Sequence, residues 1–98
     1  MITDAQIEAF RVALENVNRE YYSDVKIENY FGGVTVTKGK KNAKYMVKVG
    51  GQNTVVCFVE LETGNILKPA SWAAPAKGAR GNIATTKPQP MGSHWLYR

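Results

Sequence analysis

No aspartate or glutamate occurs after Glu62, although Lys68, Lys77, Arg80, Lys87 and Arg98 all follow it. Residues 1–64 balance eight acids against eight bases, so the whole formal charge of +5 belongs to the C-terminal third. A basic surface of this kind attracts phosphates, acidic proteins or anionic membranes, and charge alone does not choose among them. Cysteine is nearly absent. Cys57 is the single one, which excludes an intramolecular disulfide and argues against a cysteine-based zinc site. It stands in the apolar run VVCFV, where it reads as a small buried strand side chain. A nucleophilic role would need a base, and the one histidine, His94, lies near the far end. No second His or Cys stands at ligand spacing from His94, so neither a metal nor another cofactor is expected.

Long apolar runs are missing too. None approaches the ~20 residues that span a bilayer, and the N-terminus does not show the basic-then-apolar pattern of a signal peptide. A cytosolic protein without a membrane partner is the expectation. There is no GxxxxGK[ST] loop and no dinucleotide fingerprint. The acids fall mostly on one helix surface, and Glu60 and Glu62 share one face of a strand, where they read as solvent-facing. General acid–base work wants a convergent pair, so a non-enzymatic protein is expected.

The 98 residues are 44% hydrophobic and 21% charged, which suits one folded domain. Ile7, Phe10, Leu14, Val17 and Tyr21 recur at steps of three and four, predicting a helix over 4–22. Thr3 and Gln6 stand at capping-box spacing at its start. VKIENY (25–30) reads as a strand, Phe31-Gly32-Gly33 as a bend or bulge, and VTVT (34–37) as its resumption. The polar connection KGKKNAK (38–44) leads into YMVKV (45–49), with Tyr45, Val47 and Val49 inward and Met46 and Lys48 outward. GGQN (50–53) is a turn before TVVCFVELE (54–62), the most continuously apolar strand and the expected central one. Thr63-Gly64-Asn65 turns the chain into a short strand at 66–68. The fold class is therefore α+β: a helix packed on a three- to four-stranded antiparallel meander over 1–67, followed by a basic loop and tail over 68–98.

Residues 68–82, KPASWAAPAKGARGN, hold two prolines, two glycines, one tryptophan and three cations. Pro69 ends the last strand, Ser71 caps a short turn that Pro75 stops, and Gly78 and Gly81 bracket Arg80. A tryptophan among cations suits single-stranded nucleic acid or a nucleotide: indole stacks a base and the cations neutralise phosphate. The candidate ligand contacts are Lys68, Ser71, Trp72, Lys77, Arg80 and Asn82, joined by Lys40 and Lys41 of the lysine-rich connection. Two plainer readings stand beside this one. Trp72 would plug the open side of the core, and the lysines of the connection would form a solvated turn guarding an edge strand. In the tail, Lys87-Pro88-Gln89-Pro90 favours an extended path. His94, Trp95 and Tyr97, with Leu96, form an aromatic end expected to dock on this domain or on a neighbouring subunit of a homo-oligomer.

The run from Val55 to Asn82 resembles small proteins encoded by tailed bacteriophages, which carry K[PA]A[SG]WxAPAKxxRxN after a strand and an acidic-Thr-Gly turn. Lys68, Ala70, Ser71, Trp72, Ala74, Pro75, Ala76, Lys77, Arg80 and Asn82 fall on that pattern. The resemblance implies a viral origin and the cytoplasm of a bacterial host, and it transfers no catalytic residue. Three functions are compatible with this: a binder of nucleic acid or nucleotide, an inhibitor of a host defence protein acting by direct contact, and a minor virion or assembly protein.

Overall fold

The computed structural model describes residues 1–27, 29–90 and 96. Helix α1 spans Asp4–Tyr21. At its start Thr3 Oγ1 accepts from the Gln6 amide and Gln6 Oε1 accepts from the Thr3 amide, which satisfies donors the helix itself leaves unpaired. Ile7, Phe10 and Leu14 are buried as the spacing predicts, but the last turn departs from it. Asn18 is buried, its Nδ2 donating to the Leu14 carbonyl, whereas Tyr21 is 50% exposed. Tyr22 takes the packing position instead, stacking on Phe31.

None of the described residues of the strand expected over 25–30 is in a strand. Amides of Tyr22, Ser23 and Val25 bond back to Asn18, Glu20 and Tyr22, so the chain leaves the helix in successive turns. Asn29 then adopts a φ of 57°, which a strand does not accommodate. Ile27, 65% exposed, has no apolar surface to cover it there.

The sheet is an antiparallel meander in the order β1 (Phe31–Lys38), β2 (Asn42–Val49), β3 (Gln52–Glu60), β4 (Asn65–Leu67), β5 (Gly81–Asn82). The architecture is the expected α+β one, with β3 central and a two-residue fifth strand added. The register slips between Phe31 and Val34, where Gly33 has a φ of 97°. At this bulge the helix seals the sheet edge: Glu15 Oε1 accepts from the Val34 amide and Arg11 Nη1 donates to the Val34 carbonyl. Gly50 and Gly51 form the two-residue turn between β2 and β3, both with positive φ. β3 ends at Glu60, which leaves Glu62 in the following turn rather than on a shared strand face; Glu60 accepts from Thr63 Oγ1.

Burial alternates along β2, with Ala43, Tyr45 and Val47 inward. Together with Val34, Cys57, Val59 and Ile66 they form the core against Ile7, Phe10 and Leu14 of α1. Tyr45 Oη donates to the Ile7 carbonyl and its ring meets Phe10 edge-on. Leu96 belongs to the same cluster, so one residue of the aromatic end docks on this domain's own core. The other sheet face, opposite α1, carries Thr35, Thr37, Asn42, Lys44, Met46, Lys48 and Phe58.

Candidate functional site

Register places Thr37, Lys44, Phe58 and Leu67 side by side across β1 to β4 on the outer face. The chain leaves β4 at Lys68 and doubles back on itself. Pro69 bridges Pro75, the Ala70 and Ser71 amides donate to the Ala74 carbonyl, and the Ala76 amide donates to the Lys68 carbonyl. Ser71 Oγ accepts from the Ala73 and Ala74 amides, the short capped turn expected of it. This closed loop lies over β3 and reaches β2: Lys44 Nζ sits 4.3 Å from the centre of the Trp72 ring. Phe58 lies beneath it and is only 4% exposed.

Trp72 is not a core plug. Its side chain is 55% exposed and stands on the outer face, away from the core cluster. Lys44, a residue absent from the expected ligand contacts, holds it there by a cation–π contact. Beside the pair is a depression of about 280 Å³, open to solvent and lined by Thr37, Lys40, Lys41, Asn42, Phe58 and Ala73 among others. Lys40 and Lys41 form the exposed tip of the β1–β2 hairpin, closed by the Gly39 amide donating to the Asn42 carbonyl. The Lys41 carbonyl accepts from the Leu61 amide, which brings Glu60 and Glu62 near this tip.

Three acids of the helix are already engaged. Asp4 pairs with Lys38, Glu8 with Arg11, and Glu15 with Arg11 and Arg19. Among the described residues, Lys40, Lys41, Lys44 and Lys48 make no ion pair, and Glu60, opposite Asn42, is the acid that the register sets beside their row. A family model described as a family of unknown function (DUF7717) matches residues 2–92. The chain belongs to DUF7717. No curated protein and no solved structure matches it. The DUF7717 match takes in the helix, all five strands and the whole of the loop.

The second limb of that loop goes elsewhere. The Arg80 amide donates to the Ile66 carbonyl, and Gly81 pairs with Ile66, so residues 77–80 run along the β5 side of β4. With strands spaced ~4.8 Å, Lys77 and Arg80 start roughly three strand positions from Lys44. The structure therefore joins Trp72 to Lys44, Lys40 and Lys41 and leaves Lys77 and Arg80 at the opposite sheet edge. Lys68 is half-buried at the junction between the limbs. Asn82 ties the β4–β5 corner together. Its Nδ2 donates to the Thr63 carbonyl and to Asn65 Oδ1, and its Oδ1 accepts from the Ala84 amide. His94, Trp95 and Tyr97 lie outside the described residues.

Cys57 is fully buried, and burial raises its thiol pKa far above the ordinary range. Among the described residues no group of three His, Cys, Asp or Glu side chains is placed to hold a metal ion. Among the same residues no helix is long and apolar enough to cross a membrane. The outward alternation that marks Met46 and Lys48 in the sequence also marks Lys44, so that residue's exposure was legible. Its meeting with Trp72 was not, because it depends on where a loop 28 positions later lands.

Proposed function

We propose that this domain is a non-catalytic binding protein for a phosphate-rich ligand, a nucleic acid or a nucleotide. Trp72 stacks on a base, while Lys44, Lys40 and Lys41 contact phosphates. The observation that carries this assignment is the half-exposed indole held by Lys44 on an unneutralised basic face. An exposed tryptophan of this kind contributes nothing to the core, and stacking is worth ~1–3 kcal/mol per base by alanine substitution. The resemblance to tailed-phage proteins supports a phage origin and a bacterial host cytoplasm as the setting.

The test is binding of a fluorescently labelled oligothymidylate followed by anisotropy, for the natural protein and for Trp72→Ala. Affinity is expected to fall about tenfold or more while circular dichroism and melting temperature stay unchanged, and it is expected to fall steeply with salt. Unaltered affinity in Trp72→Ala would refute the assignment. Absence of oligonucleotide and nucleotide binding, with capture of one host polypeptide insensitive to salt, would favour the inhibitor instead.

A further inference from the structure

Building on the proposed phosphate-ligand site, we infer that its ligand is a single-stranded polymer laid along the outer face of β2, not a free nucleotide. Burial alternates along β2, although its register with β3 slips between Tyr45 and Met46, so Lys48, Met46, Lys44 and Asn42 form one outward row that runs into Lys41 and Lys40 at the hairpin tip. At ~3.3 Å per residue, the seven steps from Lys48 to Lys41 cover about 23 Å. Such a track offers phosphate contacts at both ends and in the middle, beyond the reach of one nucleotide.

The cross-section of the face has the shape of a groove. The closed loop bearing Trp72 and Ala73 rises over β3 on one side, and Thr35 and Thr37 of β1 stand on the other. Gly32 keeps the Lys48 end low: a Cβ there would lie 2.9 Å from Lys48 Cγ and Cδ, so the lysine stem lies flat across the glycine. Met46, between Lys44 and Lys48, gives this floor an apolar patch for a second base. Glu60 and Glu62 border only the tip end, and Glu60 is held by Thr63. The positive track is thus uninterrupted from Lys44 to Lys48.

The depression beside Trp72 is open to solvent and, at about 280 Å³, lies at the small end for a site that buries most of a small molecule. A polymer gains what one nucleotide does not, by collecting several phosphate contacts along the row. The indole also demands an unpaired base, because a duplex hides its base faces in the stack.

The deciding experiment is competition against labelled dT8 by unlabelled dTMP, ATP, dT4, dT8 and a blunt 12-base-pair duplex, for the natural protein and for Lys48→Gln. The glutamine keeps the stem that crosses Gly32, and circular dichroism checks the fold. Affinity is expected to rise by two orders of magnitude or more between dTMP and dT4, then only slightly to dT8. The duplex is expected to compete at least tenfold more weakly than dT8, and Lys48→Gln to flatten the dT8 salt slope by about 0.7. dTMP or ATP competing as well as dT4, in a Trp72-dependent way, would overturn the polymer and leave the phosphate-ligand site standing. Equal competition by the duplex would overturn the single strand. Failure of every probe to bind at low salt would remove the site itself.

Discussion

Glu15 ties the helix to the sheet edge through one carboxylate, and its chemistry makes the tie pH-dependent. Oε1 accepts from the Val34 amide at 3.0 Å and from Arg11 at 3.1 Å, and Oε2 accepts from Arg19. The Val34 amide, then Arg19 and Arg11, hold this carboxyl below its ordinary 4.5, against the opposing effect of burial. A lowered pKa in the folded state favours the fold above the ordinary value, and that stabilisation disappears as pH falls through the lowered one. Glu15→Gln is therefore expected to destabilise the protein by about 1–2 kcal/mol at pH 7, in the range of a hydrogen bond to a charged group. At an acid pH well below the ordinary 4.5 the gap between variant and natural protein narrows. Urea midpoints at the two pH values measure it, and an equal gap at both would show that charge on Glu15 is immaterial. Position 33 is bound to the same device: a Cβ on Gly33 would stand 3.0 Å from Glu15 Oε1, and the residue's φ of 97° already favours glycine.

Elements whose cues are local were legible in the chain, and elements fixed by distant partners were not. The capping box of α1, the central strand, the bulge at Gly33 and the Gly50-Gly51 turn each rest on a few neighbouring residues. VKIENY carries strand-forming side chains, yet local turns and the left-handed Asn29 prevail, and among the described residues no strand runs beside it. β5 has two residues and exists only because the loop returns Gly81 and Asn82 to β4, which no periodicity announces. The same holds for the candidate site. Its basic loop and lysine-rich hairpin were evident separately, whereas their union through Lys44, and the departure of Lys77 and Arg80 to the other edge, are facts of topology. The β2–β3 turn allows a clean test of local coding. Gly50 and Gly51 have φ of 60° and 79°, the pattern of a turn that prefers Asn-Gly. Gly50→Asn is expected to change stability by less than about 0.5 kcal/mol. A Cβ at Gly51 meets no atom within 4 Å, so the loss of about 1–2 kcal/mol expected of Gly51→Ala comes from the backbone alone. Thermal denaturation of both variants distinguishes them, and equal melting temperatures would mean the turn is not coded by its φ values.

For the molecule as a whole, the open question is how residues far apart in sequence close one small core. A chain of this size buries only about two thirds of its unfolded surface, so each buried apolar side chain carries a large share of a total stability of about 5–15 kcal/mol. Leu96 is 3% exposed and belongs to the cluster that contains Ile7, Phe10 and Leu14. It is thus a part of the core supplied from 13 residues beyond Ile83, the preceding one among the described residues that packs against that cluster. Leu96→Ala removes the side chain and leaves a cavity, which costs about 2–5 kcal/mol. In a domain of this length that lowers the melting temperature by on the order of 10 °C or more. Leu96→Met, which conserves volume, is expected to cost less than about 1.5 kcal/mol. Because the contact is made within the chain, the melting temperature of the natural protein is expected to be independent of protein concentration. If it climbs with concentration the folded protein associates, since only an association equilibrium makes stability depend on protomer concentration, and loss of that dependence in Leu96→Ala would place Leu96 in a neighbouring subunit's core.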